Sequence, residues 1–294
     1  MSDSSQEVAL EATALAALYP SLSEKHRDVV ALPQMQHRID LVKYWGIRSN
    51  DNVLEIGCGQ GDCTVALAAA VGSAGHVTAV DPASLDYGNP FTLGQAQAHI
   101  SASPLGSRIT FVQADPLAHI KTGARYDVAV IAHCIWYFSS PHYLEQLLSA
   151  LKPYVDRICI AEWALRTTDP LALPHVLAAL TQASMECRKQ ESKSNIRTVL
   201  SPSAIHAVAL TVGLEAEMQE TFAPDVGMLD GSWEVGEVVG DDYVRQIEEH
   251  VKDERERAVV LAMRDAVRAN YDVLKVKGEK VRSMDVWVVR YKVR

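Results

Sequence analysis

Between residues 52 and 164 the chain alternates short apolar runs with segments of helical character, and no other feature restricts its fold so strongly. Apolar runs at 53–57, 76–81, 108–115, 126–132 and 157–163 read as strands. Helical signals fill the gaps at 64–71 (closed by Gly72), at 92–101, and at 144–151 ahead of Lys152 and Pro153. The near-continuous apolar run at 126–132 suits a strand buried on both faces. Strands that alternate with helices join through right-handed crossovers and form a parallel sheet.

The flanks differ from this pattern. Residues up to Trp45 read as helical, with apolar Ile39, Leu41 and Val42 on one stretch. A helix is expected at 173–187, and another after Ser201, with Pro202 at its first position and Gly213 at its end. A sixth strand is expected at 215–222, a charged helix at 242–273, and an alternating final strand at 284–291. No repeat or low-complexity linker divides the 294 residues. The simplest organisation is one α/β domain with a helical cap at 1–45, a ligand-binding core at 46–164 and helical insertions at 165–200 and 223–282.

A net charge of −9 argues against a nucleic-acid footprint, which needs clustered Lys and Arg. No apolar run is long enough for a membrane span, and the first seven residues carry no signal-peptide pattern. The cysteines Cys58, Cys63, Cys134, Cys159 and Cys187 form no C-x-x-C pair and read as reduced thiols of a cytoplasmic protein. Small-molecule partners are expected, with no nucleic acid and no membrane; a homo-oligomer is left open.

The first strand runs into Gly57-x-Gly59-x-Gly61 and then a helix. Glycines there permit positive φ and close approach of a ligand to the backbone. Asp81 ends the next strand about 20 residues on, where a carboxylate can accept both ribose hydroxyls. That much fits a nicotinamide dinucleotide or an adenosyl sulfonium. Asp62, at the helix start, would compete with a pyrophosphate for the same amides. Glu55, inside the strand, suits a positively charged ligand, and no Lys or Arg lies between Asn52 and His76 to meet a phosphate.

At these residues the chain resembles the class I S-adenosylmethionine (SAM)-dependent methyltransferase family. Glu55 to Gly61 matches its E/D-x-G-x-G-x-G signature, Asp81 its acidic residue after the second strand, and Asp115, preceded by Ala114, its acidic residue after the third. His133 stands at the motif after the fourth strand. The likeness extends over about 51–163. It implies an α/β, Rossmann-like doubly wound, mostly parallel sheet whose last strand is antiparallel. It also implies SAM as cofactor, with Glu55, Gly57, Gly59 and Gly61 around the methionine part, Asp81 at the ribose and Asp115 near adenine. Cys58, Pro82, Ala114 and His133 would be further cofactor contacts. No metal set occurs at ligand spacing, and no G-x-S-x-G elbow is present.

Methyl transfer is an in-line displacement at carbon, so alignment and exclusion of water supply much of the rate. A base is needed only when the acceptor loses a proton with the attack. The site lies beyond the carboxyl ends of the strands, which nominates His133 to Phe138 after the fourth strand, and Glu162 and Trp163 after the fifth. His133 is the first candidate base and His37 the second, although a solvated helix face is the ordinary reading of Gln36, His37 and Arg38. Trp136, Tyr137, Trp163 and Trp233 are candidate substrate contacts. The turn-rich 86–91 segment is expected to pack on the ribose or adenine, the 228–236 stretch to form an irregular lid, and 189–193 to be a solvated loop. The leading function is methyl transfer to an O, N or S atom of a small molecule. SAM binding without transfer is a second reading. An NAD-dependent oxidoreductase is a third, opposed by Asp62 and Glu55.

Overall fold

The computed structural model describes residues 11–189, 192, 194 and 196–293. The signal-peptide reading of the first seven residues lies outside these. The described chain opens with α1 (Ala12–Ala16) and α2 (Glu24–His26), continues through a π turn at Arg27–Ala31, and enters α3 (Leu32–Trp45). The core follows as β1 (Asn52–Ile56), α4 (Asp62–Ala70), β2 (His76–Asp81), α5 (Leu93–Ser101), β3 (Ile109–Gln113) and α6 (Pro116–Ile120). Then come β4 (Tyr126–Ala132), α7 (Pro141–Leu151) and β5 (Val155–Trp163). The last part is α8 (Leu173–Glu186), α9 (Pro202–Thr211), β6 (Glu215–Phe222), α10 (Asp230–Val239), α11 (Asp241–His250), α12 (Glu254–Val276) and β7 (Val286–Lys292).

The seven strands form one sheet in the order β3-β2-β1-β4-β5-β7-β6. β1 to β5 pair in parallel, and β7 is antiparallel to both β5 and β6. The two-residue period of β1 sorts its side chains to opposite faces. Val53 joins the layer of Ile39, Leu41 and Trp45 from α3 and Leu67 from α4. Leu54 and Ile56 join Leu144 and Leu148 from α7 and Ile205 from α9. The same period turns Glu55 toward α3 and α4, which decides its surroundings.

A third apolar cluster joins α8, α10, α11 and α12, including Met185, Val235, Ile247 and Val267. The helix expected at 242–273 is two helices, because Val251 turns extended and Asp253 caps α12 by accepting from the Arg255 and Glu256 amides at 2.9 Å. The 228–236 stretch is largely the ordered helix α10. At 189–193, Lys189 is buried in an ion pair with Glu186 (2.9 Å), contrary to a solvated loop; residues 190, 191 and 193 lie outside the described set. No described helix is long and apolar enough to cross a membrane.

Candidate active site

The glycine turn between β1 and α4 is set by contacts on both sides. Gly57, Gly59 and Gly61 all have positive φ, at 73°, 51° and 92°. A Cβ at Gly57 would lie 2.7 Å from Cys134 Cβ, and one at Gly61 2.8 Å from Ile100 Cδ1. At Gly59 nothing lies within 4 Å, so this residue presents open space. That space belongs to a cleft of about 680 Å³ lined by Gly57, Gly59, Asp81, Pro82, Cys134 and Tyr137, among others. Asp81 accepts from the Gly59 amide (2.8 Å) and the Ala83 amide (2.9 Å), which holds its carboxylate at the rim. Gln97 Nε2 donates to the Gly59 carbonyl at 2.9 Å.

A recess of about 220 Å³ shares Gly57, Pro82, Tyr137, Phe138 and Arg197 with this cleft and adds Asp115 and Tyr143. Asp115 caps α6 by accepting from the Ala118 amide and also accepts from the Tyr143 hydroxyl at 3.1 Å. Asp81, Pro82 and Asp115 therefore border one connected hollow, with apolar Phe138 on the shared wall, while Ala114 is not on its lining and packs against the core. The groove fits an adenosine: a carboxylate for two hydroxyls, then flat apolar walls.

Glu55 is not on this lining. It is 1% exposed, and it shares a 2.5 Å hydrogen bond with Thr64 Oγ1 behind the turn. Burial pushes its carboxyl up to about 8, against the lowering effect of the Thr64 bond. Asp62 has a cation of its own. Arg38 Nε donates to Asp62 Oδ2 at 2.6 Å, bringing α3 down onto the start of α4. The absence of basic residues between 52 and 76 thus did not mean an absence of basic charge at the turn; it arrives from the cap.

The carboxyl ends of β4 and β5 hold a stack of imidazoles and indole. His133, at φ 50°, follows β4, and its amide donates to the Ala161 carbonyl. His133 Nε2 and His37 Nε2 are 2.9 Å apart in a hydrogen bond. His133 Nδ1 is 3.6 Å from Glu162 Oε1. Glu162 in turn accepts from the Ile135 and Trp163 amides. A proton on His133 Nδ1, facing the carboxylate, makes His37 Nε2–H the donor between the rings and leaves His37 Nδ1 the unpartnered acceptor it is. Trp163 lies parallel to His37 and meets His175 edge-on. Burial, then His133 and Arg38, hold His37 well below the ordinary imidazole value. Burial, with His133 adding, pushes His175 down to about 3.

His37 and Arg38 are 1% and 9% exposed, so this part of α3 is no solvated face; Gln36 turns away and bonds Asp40. Neither His37 nor His133 lines either hollow. Among the candidate substrate contacts, Tyr137 lines the cleft. Trp136 is buried, with Nε1 donating to the Leu200 carbonyl, and Trp163 is buried in the imidazole stack. Trp233 is half exposed on the wall of a separate cavity of about 710 Å³, bounded by the cap, Gln60, Asp62, the 89–91 segment and α10. That segment reaches the turn through the Phe91 carbonyl, which accepts from Gln60 Nε2 at 2.5 Å, and Tyr19 donates to Gln60 Oε1 at 2.8 Å. Gln60, Gln97 and Arg197 escaped the sequence reading. Gln60 lay inside the motif, but Gln97 and Arg197 carried no local signal.

The methyltransferase-domain family profile matches residues 53–154. Two proteins of Diaporthe leptostromiformis, Methyltransferase phomM and Methyltransferase phomM', are each 30% identical to the chain over 92% of it and 86% of their own length. The chain belongs to the class I SAM-dependent methyltransferase family. Its cofactor is SAM. The methyltransferase is also similar to a cyclopropane-fatty-acyl-phospholipid synthase-like protein from Lactobacillus casei ATCC 334, with a TM-score of 0.82 and 28% identity over 96% of this chain and 98% of that one. A putative sarcosine dimethylglycine methyltransferase from Galdieria sulphuraria shares the fold alone (TM-score 0.51, 10% identity, 94% and 92% covered).

Proposed function

We propose that this methyltransferase acts on an O, N or S atom of a small molecule, in a chamber formed by the cap at 11–45, the core at 46–164 and the helix α10. The observation that carries this reading is the cavity of about 710 Å³ on the far side of Gln60 from the cofactor cleft. Its walls come from the cap, the 89–91 segment and α10 together, a size and enclosure that suit a small acceptor. The bound cofactor supplies an electrophilic methyl group. Asp81 would hold the ribose, Pro82, Phe138 and Asp115 would frame the adenine, and the glycine turn would take the methionine part. Glu55 would act from behind the turn by fixing Thr64. The cap and Tyr137 would exclude water, and the His133–His37 pair, which lines neither the cleft nor the chamber, would position α3 over the strand ends. Trp233 would contact the acceptor, and Trp136 and Trp163 would shape the chamber from behind. The five free thiols suit a reducing cytoplasm.

The test is ligand-dependent stability together with product release. S-adenosylhomocysteine at about 100 times its Kd should stabilise the protein by about 2.7 kcal/mol, read as a rise in Tm, and NAD should not. A panel of small amines, alcohols and thiols should then yield S-adenosylhomocysteine with at least one member. Stabilisation by NAD alone, or tight SAM binding with no transfer to any acceptor, would refute the proposal.

A further inference from the structure

The cavity beside Gln60 carries more unmatched polar atoms than a void lined for packing. Arg38 gives Nε to Asp62 at 2.6 Å, yet its Nη1 has no partner and the residue is only 9% exposed. Gln34 lies one turn earlier on the same face of α3. It donates Nε2 to Asp230 Oδ2 at 2.8 Å and leaves Oε1 without a partner. A buried donor or acceptor left unpaired is costly, so an unpaired donor and an unpaired acceptor one helical turn apart on residues that line the cavity point to a ligand that completes them. Tyr19, Phe91 and Trp233 supply aromatic surface to the same cavity.

The charges select the ligand. Arg38 faces two carboxylates, Asp62 and Asp230. A simple anion would contend with both of them. A simple cation would gain Asp230 and Gln34 Oε1 but leave Arg38 Nη1 unpaired. A group with an ammonium next to a carboxylate satisfies all of these. Its carboxylate takes the free edge of the Arg38 guanidinium, and its ammonium donates to Gln34 Oε1 and to Asp230.

We propose that this cavity binds an α-amino-carboxylate group through Arg38, Gln34 and Asp230. The proposal rests on the reading of the cavity as the acceptor chamber. Such a group could come from an amino-acid acceptor or from the methionyl end of the cofactor. The cavity shares no lining residue with the cleft at Gly59 and Asp81, which favours the acceptor.

Calorimetry on the full chain separates the sources. With the protein saturated in S-adenosylhomocysteine, L-phenylalanine should bind at least about tenfold more tightly than phenethylamine or phenylacetate, a difference of about 1.4 kcal/mol. Arg38→Gln should reduce L-phenylalanine to the level of phenethylamine, and Asp230→Asn should reduce it to that of phenylacetate. Asp230 lies outside the α3–α4 ion pair, so Asp230→Asn carries the test if Arg38→Gln fails to fold. The second arm compares S-adenosylhomocysteine with its decarboxylated form on the unliganded protein. A tenfold preference that Arg38→Gln abolishes, with no binding of L-phenylalanine, assigns the same chemistry to the cofactor. No preference in either arm, or a preference that both variants leave intact, overturns the proposal. These readouts need no turnover. L-phenylalanine binding without S-adenosylhomocysteine release would defeat the proposed function and leave this site standing.

Discussion

At the scale of single residues, buried titratable groups set the pH behaviour. Glu55 is pushed up to about 8 from an ordinary value near 4.5. The folded chain therefore binds a proton that the unfolded chain releases, and Glu55 makes stability fall as pH rises from about 5 to 8. The slope reaches up to ~1.4 kcal/mol per pH unit. His37 and His175 act in the opposite sense: both stay neutral when folded, while the unfolded imidazoles take protons below about 6.5, so their part of the stability is lost as pH falls through that value. Above about pH 6.5 the two histidines are silent and Glu55 acts. Glu55→Gln, which can keep the Thr64 bond, should flatten urea-unfolding free energies between pH 6.5 and 8; an unchanged slope would place the proton elsewhere. His133→Asn tests the role of the pair. Asn tolerates the positive φ at 133, so the turn should survive. As a positioning residue, His133 should give a variant in which kcat and S-adenosylhomocysteine affinity fall by similar factors. A loss of about 100-fold in kcat with the Kd of S-adenosylhomocysteine within about threefold would instead make His133 a base.

At the scale of elements, the cap and the glycine turn form one unit. Asp62→Asn would strip the partner from a buried guanidinium, which costs about 3–5 kcal/mol. It should loosen α3 over α4, seen as faster amide exchange in 32–45 and weaker S-adenosylhomocysteine binding. Much of this level was legible in sequence. Every strand fell within about two residues of its expected bounds, because continuous apolar runs and Gly-Pro punctuation are local signals. Asp81 was nominated by its distance from the glycine turn and Asp115 by the family resemblance, and both line the connected hollow. What was not legible was tertiary. That Asp62 is answered by Arg38, or that His37 touches His133, depends on how α3 crosses the strand ends, and no local pattern encodes that crossing. Glu55 shows the opposite case. Its face was encoded by the alternation of β1, with Leu54 and Ile56 on one side and Glu55 on the other, but charge alone suggested a ligand contact.

For the whole molecule, the helices after β5 and β6 have a core of their own, separate from the two layers flanking the sheet. Val267 is fully buried in it, where removing methyl groups costs about 1–3 kcal/mol. Val267→Ala should raise the KM of the acceptor several-fold while S-adenosylhomocysteine affinity stays within about twofold, since the hollow proposed for the cofactor lies on the parallel strands. Equal losses in both would mean that this helical cluster and the sheet respond as one body.

The placement of β7 between β5 and β6 governs the order in which the chain can be completed. Among the described residues β6 pairs only with β7, and α10, α11 and α12 separate the two in sequence. During synthesis, β5 must therefore present an open edge, and β6 must wait unpaired, until α10, α11 and α12 and then β7 have emerged. Such distant pairing is slow, and an unpaired edge invites association with other chains. The same strand that closes the sheet makes the interval before its arrival the period of greatest exposure to aggregation.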